Sequence, residues 1–223
     1  MSGNTFEKLK WPPSLYYNFA TDVIDLWASE EKNKVAMLWT DGYKEIKLTF
    51  KDISQQSQQF ANALAKLGCK KDDIVLLIMG REIQWWIVLT ACLRMGAVCS
   101  PGTTQLSKED IAYRVKAAGA TCIVTDDENA QKVDQVAEEC PTLKIKIKIG
   151  NKKKKWQHYD SIIAQEDPLF QKRKTKYSDR ALCYFTSGTT GYPKMTIHNH
   201  GYGYAHQITG KYWLDLRPED LHW

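Results

Sequence analysis

The 223-residue sequence lacks long apolar runs, Cys-x-x-Cys pairs and a strong excess of one charge. Its longest apolar stretches, Ile74 to Met79 and Trp85 to Leu93, are far shorter than the roughly 20 residues of a membrane-spanning helix. We therefore predict no membrane span. The six cysteines favour buried free thiols over zinc or redox motifs. The net charge of +5 is small, and no nucleic-acid-binding motif is present, so nucleic acid is not a predicted partner.

The amino-terminal residues Met1 to Glu7 lack the apolar segment that follows the start of a signal peptide. The start of the chain also differs from a transit peptide, which is rich in arginine, because the first arginine in the sequence is Arg81. We expect a cytoplasmic protein. The alternative is the mitochondrial matrix, since a targeting segment that had been removed would leave no trace.

Helix and strand signals alternate along the chain. Thr49 to Asp52 and Ser107 to Asp110 are capping boxes, and the helices that they begin are predicted to end at Gly68 and Gly119. A further helix is predicted from about Arg81 to Met95. Such alternation predicts an α/β fold with a mostly parallel β-sheet flanked by helices. The predicted strands are Ile74 to Met79, Ala97 to Ser100, Cys122 to Thr125, a half-exposed strand at Ile145 to Ile149, Ala181 to Phe185 and Met195 to Ile197.

One polar loop between two apolar strands carries the strongest chemical signal, and its residues are Thr186, Ser187, Gly188, Thr189, Thr190, Gly191, Tyr192, Pro193 and Lys194. Its two glycines permit positive φ and close backbone approach to a ligand. Backbone N–H groups of such a turn form an anion-holding nest, and the four hydroxyl side chains add donors. Lys194 adds a compact positive charge. We predict that this segment, the phosphate loop, binds nucleotide phosphates.

The phosphate loop differs from a Walker A loop, which opens a helix with Gly-x-x-x-x-Gly-Lys-Ser/Thr. Here Gly188 and Gly191 are three positions apart, and Lys194 leads into a predicted strand. The expected context is therefore strand–loop–strand. The alternative is a flexible Ser/Thr/Gly surface turn, which seldom needs four hydroxyls and a Pro-Lys pair.

Tyr184 to Lys194 resembles the signature loop of the adenylate-forming superfamily, which includes acyl-CoA synthetases, peptide-synthetase adenylation domains and luciferases. The resemblance extends over nearly the whole chain from about Tyr17. It narrows to the medium-chain acyl-CoA synthetases at Trp85-Trp86 and at Tyr212 to Pro218. The other segments that carry it are Leu48 to Lys51, Ala61 to Leu64, Gly96 to Val98 with Pro101, and Asp110 to Arg114 with Ala120.

This resemblance implies a two-step reaction in which a small carboxylic acid and ATP give an acyl-adenylate and pyrophosphate, and coenzyme A then displaces AMP. It implies ATP, Mg²⁺ and coenzyme A as cofactors and substrates. Thr186 to Lys194 would hold the β- and γ-phosphates, and Gln105 would contact coenzyme A. Residues 1–223 would be the N-terminal part of the synthetase large domain, with the C-terminal domain absent. No catalytic residue or metal ligand is predicted here, so we expect the chain alone to be inactive.

Two other functions are kept as alternatives. The chain could be a non-catalytic nucleotide- or partner-binding product, or an adenylation domain with a different acyl acceptor.

His198 and His200 alternate along a predicted strand and could share a metal, although strand-end or pocket-lining roles are preferred. Trp85 and Trp86 are predicted to be core residues, with an acyl-pocket role as the alternative.

Overall fold

The computed structural model describes residues 14–171, 174–187 and 191–222. A π-helical turn, Ala20–Ile24, leads into the first helix. The helices are α1 (Asp25–Glu30), α2 (Phe50–Lys66), α3 (Ile83–Met95), α4 (Lys108–Ala118), α5 (Asp127–Gln135), α6 (Tyr159–Ile163) and α7 (Gly201–Ile208). The strands are β1 (Val35–Thr40), β2 (Glu45–Thr49), β3 (Ile74–Ile78), β4 (Val98–Gly102), β5 (Cys122–Thr125), β6 (Ile145–Lys148), β7 (Gln157–His158), β8 (Arg180–Thr186) and β9 (Lys194–Asn199).

Seven of these strands form one sheet, in the order β7-β6-β5-β3-β4-β8-β9, and β1 and β2 form a separate antiparallel hairpin. Every neighbouring pair in the large sheet is parallel except β8 and β9. The predicted α/β class with a mostly parallel sheet is confirmed. None of the helices in the described part of the chain has the length and hydropathy to cross a bilayer.

The large sheet is covered by helices on both faces. Alternate residues of β3 point to opposite sides: Val75 and Leu77 join one core with α2 and α3, and Leu76 joins another with α4 and α5. All five residues of β3 are buried. A strand buried on both faces reads as a continuous apolar run, and this explains why the sequence predicted it.

Both predicted capping boxes are formed. The amide of Asp52 donates to Thr49 Oγ1 at 3.1 Å, and the amide of Thr49 donates back to Asp52 Oδ2 at 2.8 Å. The same exchange joins Ser107 and Asp110 at the start of α4. The glycine that ends α4 has a positive φ of 63°, as the sequence predicted.

Three sequence predictions need correction. β4 continues through Pro101 to Gly102, because these two residues pair in parallel with Leu77 and Ile78 of β3. β6 is not half-exposed throughout, since the Lys148 ammonium is buried against the Asp127 carboxylate and the Asn151 carbonyl. Trp86 of α3 is 51% exposed, whereas its neighbour Trp85 on the same helix packs against the core.

A buried ion pair joins three helices on one face of the sheet. Arg94 of α3 is 1% exposed and donates twice to the Asp25 carboxylate of α1, at 2.7 and 2.8 Å. It also donates to Ser57 Oγ of α2 at 3.1 Å, and Ser54 donates to Asp25 at 2.6 Å. Because the Arg94 side chain is shielded from water and that of Asp25 is only 17% exposed, loss of one partner leaves the other largely buried and uncompensated.

We predict that Arg94→Met lowers the free energy of unfolding by about 3–5 kcal/mol, because it leaves the Asp25 carboxylate without its cation. The double variant Arg94→Met/Asp25→Leu should be more stable than the sum of the two single changes. Urea unfolding measures both. Lys116→Met is the control, since its ion pair with Glu139 lies in solvent and should leave the unfolding midpoint in place. Additive single and double variants would contradict the assigned coupling.

Candidate phosphate-binding site

The carboxyl ends of the parallel strands meet at one edge of the large sheet. The chain leaves β3 towards α3 on one face and leaves β4 towards α4 on the other face. β5, the other neighbour of β3, also leads to the face opposite α3, through α5, so the connections diverge on both sides of β3 at this edge. Open α/β sheets bind ligands at such switch points.

The phosphate loop lies at this same edge. β8 ends at Thr186, which pairs with Lys194, the first residue of β9, so residues 187–193 form the connection of an antiparallel hairpin. The hydroxyl of Thr186 donates to the Lys194 carbonyl at 3.4 Å. The predicted strand–loop–strand context is confirmed.

The structure places the two ends of the phosphate loop, Thr186 and Lys194, next to each other. Thr186, Ser187 and Lys194 are exposed at this edge of the sheet. Gly191 has φ 91°, a conformation that favours glycine. Tyr192 is 68% exposed. Gly188, Thr189 and Thr190, which complete the predicted loop, lie outside the described residues.

Gln105 lies in the turn after β4 and is exposed. The backbone N–H of Gln105 donates to Thr103 Oγ1 at 3.3 Å. The Lys132 ammonium donates to the backbone carbonyl of the preceding residue, Thr104, at 3.1 Å. Because β4 and β8 are parallel neighbours, this turn and the phosphate loop lie at the same edge of the sheet. Gln105, the residue predicted to contact coenzyme A, therefore lies at the same carboxyl edge of the sheet as the phosphate loop.

Tyr113 of α4 contacts the phosphate loop, and sequence reasoning gave it no role. Its hydroxyl donates to the Pro193 carbonyl at 2.9 Å, and its ring stacks on Tyr192 at a centroid distance of 5.2 Å. The same ring meets Phe185 of β8 edge to face at 6.2 Å. The available signal was an aromatic residue within the Asp110 to Arg114 segment, but sequence spacing alone does not say what its ring faces.

The two candidate histidines lie in different surroundings. His198 lies between the rings of Tyr184 and Tyr202, with centroid distances of 5.7 and 4.2 Å. His200 follows the end of β9 and is 3% exposed. No group of three or more His, Cys, Asp and Glu side chains suited to a metal occurs in residues 14–171, 174–187 and 191–222. The six cysteines are buried and form no disulfide, as the sequence predicted.

The chain is an α/β protein with a candidate phosphate loop at the carboxyl edge of its sheet, and comparison with known proteins identifies its family. Residues 24–222 match the family model described as AMP-binding enzyme, so the chain belongs to that family. It is 38% identical over 217 residues to human mitochondrial acyl-coenzyme A synthetase ACSM3, covering 93% of this chain and 37% of the relative. Rat mitochondrial acyl-coenzyme A synthetase ACSM4 is also 38% identical, over 218 residues, with the same two coverages.

A solved structure has the same fold. The anthranilate CoA ligase AuaEII, crystallised with anthranoyl-AMP, matches with a TM-score of 0.83 at 23% identity. The match covers 90% of this chain and 38% of that protein. The predicted resemblance to adenylate-forming synthetases and their medium-chain acyl-CoA branch is confirmed. The chain spans less than two-fifths of the length of these relatives.

Burial of His200 generates a prediction about acid stability. Removal from water lowers the pKa of His200 from the ordinary 6.5 to about 4. The negative charge of Asp179 raises this pKa, and the positive charge of Lys71 lowers it further. Asp22 and Asp72 also raise it, more weakly. Between these two pH values the unfolded chain holds more protons than the folded one. The contribution of His200 to stability is therefore complete above pH 6.5 and is lost as the pH falls towards 4.

We expect this group to remove about 2 kcal/mol of stability between about pH 7 and about pH 5. His200→Leu should reduce the acid-induced loss by that amount, because neither ring nitrogen has a hydrogen-bond partner in the described part of the chain. Urea unfolding at several pH values measures the slope. The control His222→Gln changes an exposed histidine and should keep the wild-type slope. An unchanged slope in His200→Leu would show that the acid sensitivity has another source.

Proposed function

We propose that the protein containing this chain is an AMP-forming acyl-CoA synthetase. In the first step a carboxylate oxygen attacks the α-phosphorus of ATP and displaces pyrophosphate. In the second the thiol sulfur of coenzyme A attacks the acyl carbonyl carbon, AMP leaves, and the thiol proton is released. The observation that supports this most directly is the phosphate loop, closed by a hairpin at the switch-point edge of the sheet in a chain of the AMP-binding enzyme family.

The roles of the loop residues are part of this proposal. Thr186 and Ser187 offer hydroxyl donors to the β- and γ-phosphates, and Lys194 offers an ammonium group. Gly191 gives the backbone the turn that lets its N–H groups face an anion. The proposal also includes Gly188, Thr189, Thr190, Tyr192 and Pro193 as loop residues. Gln105 is assigned to coenzyme A, from its position after β4.

Magnesium belongs to the proposed reaction, where it would neutralise phosphate charge. The described residues contain no group of ligands suited to it, so we assign no Mg²⁺ ligand and derive no step through the ion. We also propose that residues 1–223 are the N-terminal part of a larger AMP-binding domain and do not turn over alone. The lengths of the relatives support this. Their names, which include "mitochondrial", support the mitochondrial alternative over the cytoplasm.

The proposed activity is tested with the full-length protein, ATP, Mg²⁺ and a panel of short, medium and aromatic acids. We expect pyrophosphate release that depends on the acid, and a thioester when coenzyme A is added. ATP binding without acid-dependent pyrophosphate release would favour the non-catalytic product. An acyl-adenylate that never passes to coenzyme A would favour a different acceptor.

We predict that Lys194→Met in the full-length protein raises the apparent KM for ATP by about tenfold or more, because a hydrogen bond to a charged group contributes about 1.5–3 kcal/mol. Steady-state pyrophosphate release over a range of ATP concentrations measures this. The matched control is Lys154→Met, which removes an exposed lysine from the connection between β6 and β7. These two strands stand at the opposite end of the strand order from β8 and β9. Equal KM values for the two variants would argue against the assigned role of Lys194.

A further inference from the structure

The exit side of the phosphate loop, residues 191–194, is joined to its own hairpin by the pairing of Lys194 with Thr186, and residues 191–193 lie beyond that pair. Gly191 and Tyr192 are exposed, and the Thr186 hydroxyl reaches the Lys194 carbonyl only at 3.4 Å. A Cβ added to Gly191 would meet no atom within 4 Å, so no side chain of the described residues packs against the turn there. A side chain that holds this segment must therefore come from another element.

Helix α4 supplies that side chain. The Tyr113 hydroxyl donates to the Pro193 carbonyl at 2.9 Å, within the ordinary range for such a bond. Its ring lies nearly parallel to that of Tyr192, at an interplanar angle of 26° and 5.2 Å between centroids. Two different contacts, one polar and one aromatic, thus join one residue of α4 to two consecutive residues of the loop.

The entry side of the loop is held by the same part of α4. Tyr113 meets Phe185 edge to face, and the Arg114 guanidinium lies 5.2 Å from the centre of the Phe185 ring. Arg114 is in turn held by the Asp110 carbonyl at 3.2 Å. Tyr113 and Arg114 therefore contact the chain on both sides of the loop.

Helix α4 is a firm support for these contacts. Its first turn is closed by the capping box, and it ends in a left-handed glycine. Ile111, Ala112 and Val115 are buried against the sheet on the second core. Because the opposite stripe of the helix is fixed by packing, the Tyr113 ring has a defined position above the sheet edge.

We propose that Tyr113 is a positioning residue that fixes the backbone on which Lys194 stands. The carbonyl that it binds belongs to the peptide unit between Pro193 and Lys194, and a peptide unit is planar, so the bond also restricts the Lys194 amide. Tyr113 acts on the nucleotide through Lys194 and does not touch it. This inference rests on the proposed function of the loop.

The test is Tyr113→Phe in the full-length protein, which keeps the ring and removes the hydrogen bond. We expect the KM for ATP to rise about three- to tenfold, as the loss of one such bond implies. The KM values for the acid and for coenzyme A should stay at the wild-type level. Tyr113→Leu removes the aromatic stack as well and should raise the KM for ATP further.

A second measurement does not depend on activity. Amide hydrogen exchange at Tyr192 and Lys194, without nucleotide, should be faster in Tyr113→Phe than in the wild type. Tyr43→Phe is the matched control, because it makes the same change at a fully exposed tyrosine of the β1–β2 hairpin. It should match the wild type in exchange, melting temperature and all three KM values.

The outcomes separate the inference from the proposed function. A full-length wild type without acid-dependent pyrophosphate release would overturn the function, and exchange alone would then decide whether Tyr113 holds the loop. With an active wild type, an unchanged KM for ATP or unchanged exchange in Tyr113→Phe would overturn the inference. A rise of all three KM values together with a lower melting temperature would also overturn it, since that pattern reports general destabilisation.

Discussion

The burial of β3 on both of its faces is the constraint on which the other elements depend. Its five residues have no side in contact with water, so each face of the strand must be covered by helices. α2 and α3 cover one face and α4 and α5 cover the other. Right-handed connections to both faces make the chain diverge after β3 and β4. The divergence of the connections at the carboxyl edge is thus a consequence of covering one apolar strand twice.

Buried polar contacts then fix the position of the chain segment that leads into β8 and β9. At the end of α3, the Asn18 side chain donates to the Leu93 carbonyl at 2.7 Å and to Thr175 Oγ1 at 3.1 Å. Gly96 follows with φ 77°, and a Cβ there would lie 3.2 Å from a Thr175 methyl group. These contacts hold the segment that leads into β8. Since β8 ends at Thr186, the position of the phosphate loop depends on packing well away from it.

Local signals were the part of the fold that the sequence predicted well. The boxes at Thr49 and Ser107 satisfy backbone donors within four residues, so they hold in almost any tertiary setting. Lys148 shows the opposite case. Alternation with isoleucine placed it on a solvent face, but Asp127 of a neighbouring helix reaches it and the charge is buried. No pattern within one strand contains that partner.

The same distinction applies to the candidate site. The residue types of the phosphate loop were sufficient to predict anion binding, because glycines, hydroxyls and a lysine are chemical properties of the segment itself. The antiparallel direction of β9 and the contact with Tyr113 were not available, since both depend on which elements become neighbours.

A phosphate loop that opens a helix is fixed by the helix that follows it, and the helix dipole adds positive potential. The loop here leads into an edge strand, so neither contribution is present at Lys194. Positive potential in the proposed site must come from backbone N–H groups and the lysine itself. Rigidity must come from outside, and the tyrosine on α4 is placed to supply it. In this arrangement the positive charge of the proposed anion site and the support for its backbone come from different elements, joined by one hydrogen bond and one pair of stacked rings.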